Sequence, residues 1–410
     1  MKTFTRSLKM AILTLFLFVN TGQIYSQDSN SAPKVLWQKE YGCGEGISCA
    51  PHEIHINKAG NSLFITGTSF IPKTYTDGKF WLWEINQNDG NEIRRNVLKE
   101  TVEARSSTIG YGAWFAKGLK VTDDGKIYTV GKFEGSGSEQ FFMRADREHS
   151  TRVIKPVYDR SLDEGKNLIW RMIDLPDGNF FLIGRDKKDK ALVIKVDVEG
   201  NRLWKRTYEA DKLSFFSDGV AIGEKGDFVI VGWSSASGGE KALAEPTSVR
   251  ILKCNAEGEK LSEVTFPGGS PFPDKQPQIC QLDSGNFAVA YDKSEDLRAA
   301  DHIVRTYNSD LELLWEKQII ESQGNYPSYF SIESIPGGDF VVANCTNLSD
   351  INVYKYDEKG NRVSFVSLNK VGAFGKFSLA CTNGKVFIVL PNIPVSPPYV
   401  MKVKVIAIEL

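Results

Sequence analysis

Four histidines and a scatter of acidic residues set the limits on what chemistry this chain can perform. Two of the histidines lie in PHEIH at 51–55, which invites a metal reading. The segment alternates like a strand, however, and period-two geometry puts His52 and His55 on opposite faces. The zinc-binding H-E-x-x-H pattern needs both on one face of a helix. His149 falls in a predicted hairpin turn. Only His302, after the acidic stretch SEDLRAAD, stands where a site is expected. DVEGN and NQNDGN look like calcium loops but lack the alternating acids and later glutamate of that motif, and they match hairpin turns. GSGSE at 135–139 has no helix after it to present an N-terminus to phosphate. Neither a G-x-S-x-G elbow nor an S-x-D-x-G-x-T-W box is present. Paired acids for glycoside chemistry must stand about 5–9 Å apart, a three-dimensional property; Asp163, Glu164, Asp218, Asp296 and Asp301 are the candidates. No metal and no cofactor is expected.

Binding residues are easier to nominate than catalytic ones. Aromatics stand beside charges at Tyr111 and Trp114, at Tyr158, Asp159 and Arg160, and at Phe215, Phe216 and Asp218. Trp233, Tyr326 and Tyr329 extend the set. An aromatic face flanked by hydrogen-bonding groups suits a sugar ring or a peptide, although the same residues can hold long loops down. The expected ligand set is Tyr111, Trp114, Tyr158, Arg160, Asp218, Trp233, His302, Tyr326 and Tyr329.

The elements that must position them come from an internal repeat. A Gly turn followed by an apolar strand recurs as KAGNSLFITG, DDGKIYTVG, PDGNFFLIG, EKGDFVIVG, DSGNFAVAY, PGGDFVVAN and TNGKVFIVL. Successive copies start about fifty residues apart, the period of propeller blades. The third unit is clearest: NLIWRMIDL, NFFLIG, ALVIKVD and RLWKRTY read as four strands joined by tight turns. The chain is therefore expected to be all-β, a seven-bladed β-propeller with four antiparallel strands per blade. The last unit lacks a fourth strand, and VLWQKEYG at 35–42 is a fourth strand without its predecessors. The N-terminal strand is expected to complete the last blade and close the ring, which removes exposed edges. A six- or eight-bladed ring is the alternative, because the first two units are the least regular.

LWQKEYG, the DGN-type turns and IKVDVEGNRLWKRTY together resemble the W-x-K-x-Y-G and DGG-aromatic propeller repeats of exported bacterial proteins. The resemblance spans nearly all of the mature chain. It implies the propeller fold and export, and it brings no catalytic residues. Trp37, Trp204 and Trp315 share one fourth-strand position and read as blade packing, as do Trp81 and Trp83.

Strand alternation sorts the connections onto two faces. First-to-second and third-to-fourth turns share one face and are tight. The opposite face takes longer stretches such as 97–114, 234–248, 266–278, 291–302 and 319–330. A rigid scaffold usually places binding residues on such loops, and the channel mouth there is the expected pocket.

Residues 1–26 combine Lys2, Arg6 and Lys9 with the apolar run AILTLFLFV and read as a signal peptide cut near Ser26. The run is about half of a ~20-residue membrane span. A short tail at 27–34 and a single propeller at 35–410 follow, and a secreted or periplasmic location is expected. Starting from 50 cationic and 51 acidic residues, removal of three cations leaves a net charge of about −4, with no footprint for nucleic acid. Cys43 and Cys49 share one Gly-rich loop and are placed to bridge locally, while Cys254, Cys280, Cys345 and Cys381 sit in strands as buried thiols. The leading expectation is a monomeric, non-enzymatic module that binds a glycan or protein through the long-loop face. The alternatives are a polysaccharide-active lyase or hydrolase at the channel mouth and a structural scaffold.

Overall fold

The computed structural model describes residues 33–57, 61–72, 79–98, 114–122, 124–133, 139–146, 152–156, 168–209, 213–236, 247–268, 276–293, 301–320, 329–346, 349–371, 376–382, 384–393 and 400–410. Their strands form seven four-stranded antiparallel blades, and no helix occurs among the described residues. Blade 1 runs through Ser48–Asn57, Ser62–Phe70, Lys79–Asn86 and Glu92–Leu98. Blades 2 to 6 follow at 114–156, 168–208, 213–267, 278–320 and 329–368. The first strand of each blade contacts the first strands of its neighbours around the ring, so strand order runs from the channel outward. The last blade takes Ser378–Thr382, Lys385–Asn392 and Lys402–Glu409, with Lys34–Tyr41 as its outermost strand. Gln38 pairs with Ile406 and Lys39 with Val405, so the N-terminal strand closes the ring as its sequence implied.

Burial explains the strand composition. Second and third strands are sandwiched between neighbouring blades and are mostly apolar and buried, as in Phe180–Arg185 and Ala191–Val196. Fourth strands have one edge in solvent, and Arg202–Tyr208 runs from exposed Leu203 to buried Tyr208. Each seam holds its own apolar cluster. Phe181 and Ile183 of blade 3 meet Phe228 and Ile230 of blade 4 in this way. Every large side chain so buried contributes about 1.5–3 kcal/mol.

The recurrent Trp and Tyr of the fourth strands join one blade to the next. Trp37 Nε1 donates to the Gln87 carbonyl at 3.0 Å, and Trp315 Nε1 to that of Glu358 at 2.8 Å. Tyr208 Oη donates to the Gly258 carbonyl at 2.9 Å. The indole of Trp204 lies against the same turn, where a Cβ on Gly258 would come within 2.9 Å of it. The third-to-fourth Gly turn is thus a cradle for the aromatic of the preceding blade. Cys43 and Cys49 form a disulfide, while Cys254, Cys280 and Cys345 are buried thiols and Cys381 is half-buried.

The second-to-third connections are less uniform than expected. Blade 3 joins Phe180–Arg185 to Ala191–Val196 by a tight turn, in which the Asp189 amide donates to the Asp186 carbonyl at 3.1 Å.

Candidate functional site

The innermost strands of blades 1, 3 and 4 each carry a β-bulge, between Pro51 and Glu53, Ile169 and Arg171, and Phe216 and Asp218. A glycine on each second strand, opposite the bulge, makes room for it. A Cβ on Gly184 would lie 1.8 Å from the Leu168 carbonyl oxygen, and Gly67 and Gly232 face Ala50 and Phe215 in the same way. In blades 5, 6 and 7 the corresponding residues are Tyr291, Asn344 and Leu390, and their inner pairs run without a register shift. A bulge re-aims the residue that follows it. Here those residues are Glu53, Arg171 and Asp218.

They meet across the channel wall. Arg171 Nη1 donates to Glu53 Oε1 at 3.0 Å, and Arg171 Nε lies 3.0 Å from Asp218 Oδ1 as an ion pair. Glu53 reaches blade 3 from blade 1 because Gly118, between them in blade 2, has no side chain. A Cβ on Gly118 would fall 2.4 Å from Met172 Cβ, and its φ of +138° suits glycine alone. The Gly118 amide also donates to Glu53 Oε2. Asp218 accepts from the amides of Gly219 at 2.9 Å and Ile279 at 3.3 Å. Gln278 Nε2 then donates to the Phe330 carbonyl at 2.9 Å, and Ser331 Oγ to Gln278 Oε1 at 3.3 Å. A polar belt therefore runs from blade 1 to blade 6.

Electrostatics match the geometry. Burial opposes the charge of Arg171, but Asp218, Glu53 and Glu333 outweigh it and raise its pKa above the ordinary value. Arg171 keeps 25% of its side chain exposed, against 11% for Glu53 and 6% for Asp218. Toward the tight-turn face, Lys120 pairs with Asp174 at 2.5 Å. Burial pushes the Asp174 carboxyl up, yet Lys120 prevails and holds it below its usual range. Burial, reinforced by Glu333, raises the thiols of Cys280 and Cys381. Glu53, Asp174 and Asp218 thus each face a cation or backbone amides. No group of three metal-ligating side chains occurs among the described residues.

The sites nominated from sequence divide into three groups. Tyr111, Tyr158, Arg160 and Tyr326 lie outside the described residues, as do Asp163, Glu164, Asp296 and His149. Trp114 begins the inner strand of blade 2. Asp218, Trp233, His302 and Tyr329 are strand residues instead of loop residues, because the strands extend to the rim. Trp233 packs edge-on against Phe215 at 4.6 Å within the core. PHEIH is a strand, as expected. His52 Nε2 lies 3.0 Å from Thr68 Oγ1, while His55 turns to the Asp174 side. Burial, with Lys376, pushes the His52 pKa down to about 3. Glu53 and Arg171 were missed. The signal that could have found them is the glycine that follows the apolar run of the second strand, at Gly67, Gly184 and Gly232, which marks the opposing bulge.

His302 has a partner the sequence did not suggest. It stands opposite Asp292 on the neighbouring strand of blade 5, with Nδ1 2.6 Å from Asp292 Oδ1 and both side chains buried. The carboxylate sits off the N–H axis, so the contact is close but not a well-aligned hydrogen bond.

No protein-family model and no curated protein matches the chain. Solved structures do share its architecture. A protein of unknown function from Dyadobacter fermentans aligns with a TM-score of 0.53 and 9% identity, over 92% of this chain and 99% of that one. A puromycin-hydrolyzing peptidase from Mycobacterium tuberculosis aligns with a TM-score of 0.50 and 14% identity, over 84% of this chain and 49% of that one. This chain therefore spans about half of the peptidase. At such identities the likeness is one of fold alone.

Proposed function

We propose that the protein is an exported, non-enzymatic binding module that recognises a glycan through the long-loop face of its propeller. The observation that carries this reading is the pairing of Glu53, Asp174 and Asp218 on the channel wall. Each already faces a cation or backbone amides. A channel so cross-linked supplies a stiff platform, and recognition then falls to the loops at its rim. Tyr111, Trp114, Tyr158, Arg160, Tyr326 and Tyr329 are the residues proposed to contact the ligand. The signal-like segment 1–26 supports export.

The test is a glycan array with the mature chain, run beside a pull-down. Retention on a defined glycan class, lost on combined Tyr158→Ala, Arg160→Ala and Tyr326→Ala substitution, is the expected result. Release of new reducing ends or unsaturated products would instead make it an enzyme. Capture of a protein with an empty array would replace the glycan by a protein ligand.

A further inference from the structure

Blades 1 to 6 are each built from consecutive strands, but the last blade borrows its outermost strand from the other end of the chain. Lys34–Tyr41 is held to Lys402–Glu409 by non-covalent contacts alone. Lys34 pairs with Glu409 at 2.9 Å, and Lys404 faces Glu40 at 3.5 Å. The same strand reaches across to blade 1. Trp37 donates to the Gln87 carbonyl, Tyr41 Oη to the Gly90 carbonyl and Lys39 Nζ to Asn91 Oδ1. Covalently it leads into blade 1 through residues 42–47. This is therefore the joint where the ring can open, and opening it bares an unpaired edge on the last blade.

The connection at this joint is built as a hinge and then tied. Three of residues 42–47 are glycine, and Gly44, Glu45 and Gly46 are exposed. Gly44 and Gly46 take φ of +130° and +68°, the region that favours glycine. Across this hinge runs the Cys43–Cys49 disulfide, which holds the two Cα atoms 5.8 Å apart. Untied, the same stretch of chain spans up to about 20 Å. Cys49 is itself fixed to the last blade. Its amide donates to the Met401 carbonyl at 2.8 Å, and the Met401 amide donates to Ser48 Oγ at 3.0 Å. The bridge thus pins the end of the closing strand beside its own last blade. The scaffold does not demand such a joint, because blade 3 passes to blade 4 through EADK at 209–212, with neither glycine nor cysteine.

We propose that this bridge decides which ring the closing strand completes: its own while oxidised, and that of a second copy of this chain once a dithiol has reduced it. Cys49 is fully buried and Cys43 half-buried, so the attack falls on Cys43 Sγ. A thiolate of the dithiol bonds to Cys43 Sγ, the Cys43–Cys49 bond breaks, and Cys49 leaves and takes up a proton. The second thiol of the reductant then displaces Cys43. The dithiol ends as a disulfide and both protein cysteines as thiols, so two electrons and two protons pass to the chain. The freed hinge lets Lys34–Tyr41 swing out and enter the last blade of another copy. No new surface is needed, because the exchanged strand reuses the same register, the Glu40–Lys404 pair and the Trp37 contact. Exchange of an identical element is a low-cost route to a dimer for this reason.

The experiment is light-scattering chromatography of the mature chain over a concentration series, oxidised and after dithiothreitol, with the Cys43→Ser/Cys49→Ser chain beside it. The oxidised chain is expected to stay a monomer. The reduced chain and the variant are expected to double in mass as concentration rises. A trap reports the exchange itself: Glu40→Cys and Lys404→Cys, added to the serine variant, join within one ring as a monomer or between copies as a covalent dimer on a non-reducing gel. Amide exchange separates a freed strand from an unfolded chain. At low concentration, reduction is expected to lower protection at 402–409 while the other blades keep theirs. A reduced chain that stays monomeric at every concentration overturns the proposal, as do equal dimers in both redox states. Dimers that the trap fails to join between copies overturn it too, because another surface then holds them. Protection lost in all blades together likewise overturns it and makes the bridge a stabiliser of the whole fold.

Discussion

The channel belt and the seam between blades 5 and 6 are both polar and buried, yet they resolve their polarity in opposite ways. In the belt, Glu53, Arg171 and Asp218 pair with one another and with the adjoining amides, although Arg171 Nε meets Asp218 as an ion pair without an aligned hydrogen bond. In the seam, Asn344 and His302 Nε2 are enclosed by apolar blade surfaces with hydrogen-bonding capacity to spare. Backbone geometry is the source of the difference. Blades 1, 3 and 4 carry a glycine on the second strand opposite a bulge, which turns a charged residue toward its neighbours. Blade 6 has Asn344 at that position and a regular ladder, so no residue is re-aimed there. A satisfied network stiffens a scaffold, whereas an unsatisfied polar group in a low-dielectric interior costs stability.

Substitution at the belt should produce the largest effect. Arg171→Met leaves two buried carboxylates facing each other without a cation and is expected to cost about 3–5 kcal/mol in urea unfolding. Adding Glu53→Gln and Asp218→Asn should recover part of that loss. A single variant with an unmoved midpoint would show that the belt is not a structural network.

Acid should probe the same region more gently. His52, beside the blade 1 bulge, has its pKa lowered from 6.5 to about 3 by burial and Lys376. The unfolded chain therefore takes up this proton before the folded one does. The His52 contribution to stability is complete above pH 6.5, declines as the pH falls toward 3, and changes no further below that. His52→Gln is expected to flatten the slope of unfolding free energy against pH in this window. An unchanged slope would mean the imidazole titrates as it does in water.

The smallest effect is expected in the seam. Asn344→Leu replaces unpartnered polar atoms with apolar ones of similar volume, so stability should change by no more than about 1 kcal/mol. A loss as large as that of Arg171→Met would reveal that Asn344 is held by the protein after all, and the contrast between the two regions would disappear.

Legibility in the sequence followed locality. Strand alternation, Gly turns and the orphan VLWQKEYG are readable because each depends on neighbouring residues or on repetition. Trp37, Trp204 and Trp315 were read correctly as packing, although the Gly cradle that receives them belongs to the next blade. Asp218 and His302 were nominated but placed on loops, since turn-like composition near a rim does not reveal how far a strand extends. Arg171 was passed over because NLIWRMIDL alternates well enough to hide a bulge, and simple alternation gives no reason to aim an arginine across the channel.

The sequence by itself determined the repeat, the four-stranded unit, the seven blades and the strand that closes the ring, because periodic burial writes these features into every copy. Only the tertiary structure decided which polar groups meet. Glu53 and Arg171 are 118 residues apart and touch because ring closure brings blades 1 and 3 to either side of Gly118. Asp292, His302 and Asn344 converge because two adjacent blades face each other in a fixed register. Repetition specifies how each blade is built, and the closed ring specifies what each blade presents to the next.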